Sequence, residues 1–153
     1  MTPPVFPTIL QFPLKFLPNT VLSRIFTQVL NRLLRTPLLE GDLDFLDNKT
    51  LHIQVSDIPV CICLSLSTQK LVLGGQAPDV LLQGSVHDFL LLASREQDAD
   101  TLFFQRRLKI SGETDLGLEI KNFLDALDIE SMSYHEAILN GLSRINRVYV
   151  RWC

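Results

Sequence analysis

From Leu43 onward the apolar residues recur at every second position, and no other feature so narrows what this chain can fold into. Leu51, Ile53 and Val55 alternate with His52, Gln54 and Ser56. Val60, Ile62, Leu64 and Leu66 alternate with Cys61, Cys63 and Ser65. Neighbouring side chains on a strand point to opposite faces, so this period builds a sheet with one aliphatic face. Residues 70–73 and 79–82 continue the series. The links between the runs (Asp47-Asn48-Lys49, Asp57-Ile58-Pro59, Ser67-Thr68-Gln69 and Gly74 to Pro78) are short, which predicts antiparallel neighbours. The aliphatic face needs a cover, and the flanking sequence supplies helices.

Before the sheet, Asn19 or Thr20 caps a helix that Pro37 ends. Val21, Leu22, Ile25, Phe26, Val29, Leu30, Leu33 and Leu34 share one face of it, while Ser23, Arg24, Thr27, Gln28, Asn31, Arg32 and Arg35 share the other. This helix has two uses, compatible if it can detach. It packs on the core, or it lies on an anionic membrane surface through Arg24, Arg32 and Arg35 with Leu22, Ile25, Phe26, Val29 and Leu33. Ahead of it, five prolines in nineteen residues exclude a regular helix. Later in the chain, Ser85 caps a helix from Val86 to about Arg95. A strand over 103–110 follows, Gly112 turns the chain, and Thr114 or Asp115 caps a helix striped with Leu116, Ile120, Phe123, Leu124 and Leu127. A last helix runs from about Ser133 to Arg147. The expected class is α+β, a twisted and mainly antiparallel sheet with helices over one face.

At 153 residues the chain is long enough for a sizeable core, burying roughly 70% of its unfolded surface. Its hydrophobic fraction is 46% and its mean hydropathy +0.20, yet no apolar run reaches the ~20 residues of a membrane span. No signal peptide is visible, and an odd count of three cysteines argues for a reducing compartment, so a cytoplasmic address is expected. The net charge of −3 is unevenly spread. Residues 1–39 hold Lys15, Arg24, Arg32 and Arg35 and no acid, leaving 10 basic groups against all 17 acidic ones in the rest.

Little here suits a catalyst. There is no GxSxG elbow to hold a nucleophile. Gly112 to Gly117 has the spacing of a phosphate loop, but Leu118-Glu119 stands where Lys-Ser/Thr is required. Cys61-x-Cys63 is neither a redox CxxC nor half a zinc knuckle. His52, His87 and His135 lie far apart, so no metal spacing appears. His87-Asp88 falls at a helix start, where an acid satisfies amide donors. No catalytic residue, metal or cofactor is expected. Nucleic acid is excluded as a partner by the isoelectric point of about 5.5. In a strand, Arg106 and Arg107 point to opposite faces, which makes them candidates for a pocket mouth that meets an anionic headgroup.

The run FFQRRLKISGETDLGLEIKN resembles the end of a sterol-carrier-protein-type (type two) lipid-binding domain. The likeness extends from Asp42 to Leu127, and GGQAPDVLLQGSVHDFLLLASREQDADTLFFQRR is its most specific part. Within that family it is similar to accessory factors of bacterial ubiquinone biosynthesis. The resemblance implies a curved sheet covered by helices around an apolar cavity, and a protein that binds lipids without being a catalyst. It implies a part in oxygen-independent ubiquinone synthesis, with isoprenoid quinone intermediates or phospholipid as ligand. Its implied collaborators are ring methyltransferases and a UbiU–UbiV-like pair. Association with the inner membrane would be peripheral. Three segments follow: residues 1–41 as lead-in and amphipathic helix, 42–130 as the lipid-binding domain, and 131–153 as C-terminal helix and tail. Candidate cavity-lining residues are Phe89, Leu92, Phe104, Leu108, Leu116, Ile120, Phe123 and Leu124. A reading from a different class is a scaffold that binds biosynthetic enzymes and no lipid.

Overall fold

The computed structural model describes residues 16–75 and 77–127, together with 140, 141, 144 and 147. The proline-rich lead-in up to residue 15 lies outside this set, as do most of the expected Ser133–Arg147 helix and the tail.

Five strands form one sheet: β1 (Leu51–Val55), β2 (Val60–Ser67), β3 (Lys70–Leu73), β4 (Val80–Gly84) and β5 (Lys109–Gly112), in the order β3-β2-β1-β4-β5. Three of the four pairings are antiparallel, and β1 pairs with β4 in parallel, Leu51 opposite Val80 and Ile53 opposite Leu82. The short link after β3 therefore does not make β3 and β4 neighbours. Each edge of β1 is a row of backbone N–H and C=O groups, and β4 takes the edge that β2 leaves open. The period of two places Leu51, Ile62, Leu64, Leu66, Leu71, Val80 and Leu82 on one face, all buried. His52, Gln54, Cys61, Cys63, Ser65, Leu81 and Gln83 share the other and are only partly covered.

The helices are α1 (Asn19–Leu33), α2 (Arg35–Glu40), α3 (Val86–Ala93), α4 (Ala99–Phe104) and α5 (Thr114–Ala126), with a 3-10 turn at Asp44–Leu46. The buried face of the sheet meets Leu38 of α2, Leu43 and Leu46 of the following turn, and Leu116 and Ile120 of α5 in one cluster. Burying a leucine or isoleucine completely contributes about 1.5–3 kcal/mol, so this layer dominates stability. A second cluster joins Leu91 of α3, Leu102 of α4 and Leu108. Gly117 of α5 packs on β5: an added Cβ would meet Ile110 Cγ2 at 2.8 Å, so this glycine serves close packing rather than a phosphate loop.

The helix boundaries differ from expectation at three points. Pro18 precedes α1 as its cap residue without a side-chain cap bond, because the Asn19 amide donates instead to the Cys61 carbonyl, 2.9 Å away. Pro37 does not end that helix. The break falls at Leu34, and Pro37 lies in the first turn of α2, where a missing N–H breaks no helical bond. Glu113 rather than Thr114 or Asp115 precedes α5, again without a cap bond, since its carboxylate accepts from Lys49 Nζ at 2.7 Å. At α3 the expected cap is present. Ser85 Oγ accepts from the Asp88 N–H at 3.1 Å and Asp88 accepts from the Ser85 N–H at 3.0 Å, a reciprocal capping box.

Candidate functional site

Helix α1 lies along the open edge of β2 and β3, and it docks through the face that looks polar in sequence. Asn19, Ser23, Thr27 and Asn31 stand four residues apart and so form one ridge. Asn19 Nδ2 and Ser23 Oγ both donate to the Cys61 carbonyl. Asn31 Nδ2 donates to the Leu71 carbonyl at 2.7 Å, and Asn31 Oδ1 accepts from the Leu71 N–H at 2.7 Å. An edge strand leaves such groups unpaired, and here side-chain amides take the place of a further strand. Thr27 Oγ1 turns back to the Ser23 carbonyl, which lets that part of the ridge be buried without an outside partner.

The consequence is an apolar stripe turned outward. Leu22, Leu30 and Leu34 pack at its inner margin, and Leu33 is half-buried. Val21, Ile25, Phe26 and Val29 are exposed, Ile25 at 54%, and Phe16 and Leu17 extend the surface toward the N-terminus. Arg24, Gln28 and Arg32 follow one another at four-residue spacing along the outer margin, and these arginines and Arg35 are exposed. The structure thus brings together the eight residues Leu22, Arg24, Ile25, Phe26, Val29, Arg32, Leu33 and Arg35 as one amphipathic surface. Among the described residues no helix is long and apolar enough to cross a membrane.

A groove of about 360 Å³ lies between α2 and α5. Pro37, Phe45, Phe123 and Leu127 give it apolar walls, with the Phe45 and Phe123 rings tilted at 59° and 6.1 Å apart. Glu40, Asp42 and Glu119 also line it, so it repels an anionic headgroup. Of the residues expected to line a cavity, Phe123 is in this groove. Leu116 and Ile120 are buried in the central cluster, against which Phe89, Phe123 and Leu124 pack. Leu108 is 1% exposed beside Leu91 and Leu102, with Leu92 packed against them.

Phe104 is a correction. The chain over 99–104 is helical, not extended, and Phe104 at the end of α4 is 91% exposed, so it lines no enclosed space among the described residues. Asp98 drives this. Its carboxylate accepts from the Thr101 N–H at 2.9 Å and from Thr101 Oγ1 at 2.7 Å, starting a helix where the aromatic run reads as a strand. Those bonds hold the Asp98 carboxyl below its ordinary range. Arg106 and Arg107 are therefore not on opposite faces of a strand. Arg106 is exposed with φ +58 in the turn after α4. Arg107 Nε donates to Asp88 Oδ1 at 2.6 Å. Asp88, 4% exposed, is thereby engaged in the capping box and this ion pair.

The partly covered face of the sheet holds a cluster that spacing along the chain conceals. The β1–β2 register sets His52 opposite Cys63, and Cys61 sits two residues earlier on the same face. One ring nitrogen of His52 and the two sulfurs all lie within 4.8 Å of one another. The expectation of no metal-ligand grouping fails here because antiparallel pairing, not sequence separation, sets the distances. Burial pushes the Cys63 thiol up, with Cys61 adding to the effect, so Cys63 is not an activated nucleophile.

A mixed five-stranded sheet with helices over its apolar face is the frame that carries these surfaces. The model of the SCP-2 sterol transfer family matches residues 26–125, and the chain belongs to that family. Its relatives include the "Ubiquinone biosynthesis accessory factor UbiT" of Escherichia coli (strain K12) and that of Escherichia coli O157:H7. Each is 42% identical over 127 residues, which is 82% of this chain and 73% of the relative. A solved structure described as "UbiJ-SCP2 Ubiquinone synthesis protein" superposes with a TM-score of 0.55 at 19% identity, over 69% of this chain and 95% of that one. At that identity the likeness establishes a shared fold.

Proposed function

We propose that this chain is a non-catalytic, lipid-binding accessory factor of ubiquinone biosynthesis, acting in the oxygen-independent route. The observation that carries this reading is the 42% identity to UbiT across 127 residues, on a family fold whose apolar surface exceeds what its core consumes. Isoprenoid quinone intermediates or phospholipids are the ligands. A polyprenyl tail gains about 0.8 kcal/mol for each CH₂ removed from water, so a soluble enzyme gains access to it only through a protein that covers the tail. Side chains that would serve acid–base chemistry are committed elsewhere: Asp88 to Arg107, Glu113 to Lys49, and Asp98 to the start of α4. The α1 surface, apolar stripe beside exposed arginines, delivers the protein to an anionic membrane. Collaborating biosynthetic enzymes, a UbiU–UbiV-like pair among them, receive the intermediate there.

Lipid extracted from the purified full chain and analysed by mass spectrometry tests this reading. Quinone, polyprenyl or phospholipid species at near-stoichiometric level are expected. A chain that emerges lipid-free, and takes up no prenylated quinone from vesicles, overturns it. If that lipid-free chain co-purifies with biosynthetic enzymes, the scaffold reading replaces it. Deleting the gene is expected to lower ubiquinone in cells grown without oxygen and to leave aerobic levels unchanged.

A further inference from the structure

We infer that His52, Cys61 and Cys63 form a binding site for a thiophilic d10 cation, with Zn²⁺ as the representative ion. Three donors from two adjacent strands converge within 4.8 Å, two sulfurs and an imidazole nitrogen, on the face of the sheet that the helices leave partly open. Small side-chain adjustments bring such a set to the bond lengths of a tetrahedral site, about 2.3 Å for sulfur and 2.0–2.1 Å for nitrogen. His52 supplies an independent sign. Its Nε2 is buried and has no hydrogen-bond partner, and a buried polar atom without a partner calls for one.

The surroundings select the ion. Gln54, Ser65, Leu81 and Gln83 share this face with the cluster and carry no charge. The charged residues that the register adds to it, Lys70 opposite Ser67 and Lys109 opposite Gln83, are cations rather than carboxylates. The Gln83 amide donates to Gln54 Oε1 at 2.9 Å, so that pair is already satisfied. Without a carboxylate in the set, Mg²⁺ and Ca²⁺ lack the hard oxygen ligands they require. Two thiolates and a neutral imidazole favour a soft ion instead. Binding is a ligation without redox change. Each thiol gives its proton to solvent, each sulfur donates a lone pair, and the two negative charges cancel the two positive ones. The resulting neutral complex is compatible with a half-buried surface. Three protein ligands leave a fourth position for water or an external donor, and the metal would tie β1 to β2.

Reduced full-length protein titrated with Co²⁺ and then Zn²⁺ provides the test. About one Co²⁺ per chain is expected, with thiolate-to-cobalt charge-transfer absorption that Zn²⁺ abolishes. Cys61→Ser, Cys63→Ser and His52→Gln should each weaken Zn²⁺ binding by more than the roughly 10–100-fold that loss of an outer-shell partner costs. Cys153→Ser should leave it unchanged. A wild-type protein without charge-transfer absorption overturns the inference, and this arm decides the matter even if a variant fails to fold. Binding that survives all three site substitutions, or that Cys153→Ser removes, overturns it as well. The outcome does not depend on whether the chain carries lipid.

Discussion

Asn31 meets both backbone groups of Leu71, and this pair of bonds, with those of Asn19 and Ser23 to the Cys61 carbonyl, ties the N-terminal helix to the sheet edge. Asn31→Ala removes both and leaves an N–H and a carbonyl at a part-buried edge, so a loss of about 1–3 kcal/mol is expected in urea denaturation. A change below about 0.5 kcal/mol would show that water replaces the amide without cost. Asp88 carries more. It accepts from Ser85 twice and from Arg107, at 5% side-chain exposure. Asp88→Ala removes the carboxylate half of the capping box, leaves the Ser85 Oγ bond in place and strands the guanidinium, and a loss of roughly 3 kcal/mol is expected from the same measurement. Much at this scale was legible. The Ser85 start of α3 and the acid at Asp88 stand plainly in the sequence. The Arg107 partner was not, because nineteen residues separate the two and only the α4 turn brings them together.

Helix α4 is a lesson at the scale of elements. Its cap bonds hold the Asp98 carboxyl below its ordinary value, so the folded form binds a proton less readily than the unfolded form. Its contribution is therefore present above the ordinary carboxylate range and is lost as pH falls through the folded-state value. Protection factors of the amides in residues 99–104, taken relative to an unstructured chain at the same pH, should fall as the pH drops through that window. In Thr101→Val, which lacks the Oγ1 donor, NMR titration should place Asp98 closer to its ordinary value; an unmoved Asp98 would remove the hydroxyl as the cause. Asp98 followed by Ala-Asp-Thr was the available signal, outweighed in sequence by the β-like run Leu102-Phe103-Phe104. Helix α1 yields a second prediction. Because Ile25 and Val29 are exposed, Ile25→Ser with Val29→Ser should change folding stability by no more than about 1 kcal/mol. Vesicle binding should fall at least tenfold, since each CH₂ moved into lipid is worth about 0.8 kcal/mol. Undiminished binding to anionic vesicles by that double variant would exclude α1 as the contact.

Across the described residues, exposed apolar surface and positive charge meet on α1, apart from the acidic α2–α5 groove. The sheet and its helices enclose an aliphatic layer, the α2–α5 groove carries carboxylates, and Arg24, Arg32 and Arg35 stand exposed beside the outward stripe of α1, while Arg95 and Arg106 are exposed elsewhere. Binding to anionic vesicles should therefore weaken as salt rises, because the Debye length shrinks from about 10 Å at 0.1 M to 3 Å at 1 M. Binding independent of both salt and lipid charge would leave the arginines without a part in it. The strand period, the α+β class and the stripe of α5 follow from the sequence alone, because they rest on local alternation and on which residues water rejects. The parallel β1–β4 pairing, the outward turn of α1 and the meeting of His52 with Cys61 and Cys63 were decided only by tertiary structure. Each depends on what lies beside a residue in space: an open strand flank, unpaired edge amides, and a cross-strand register that spacing along the chain does not encode.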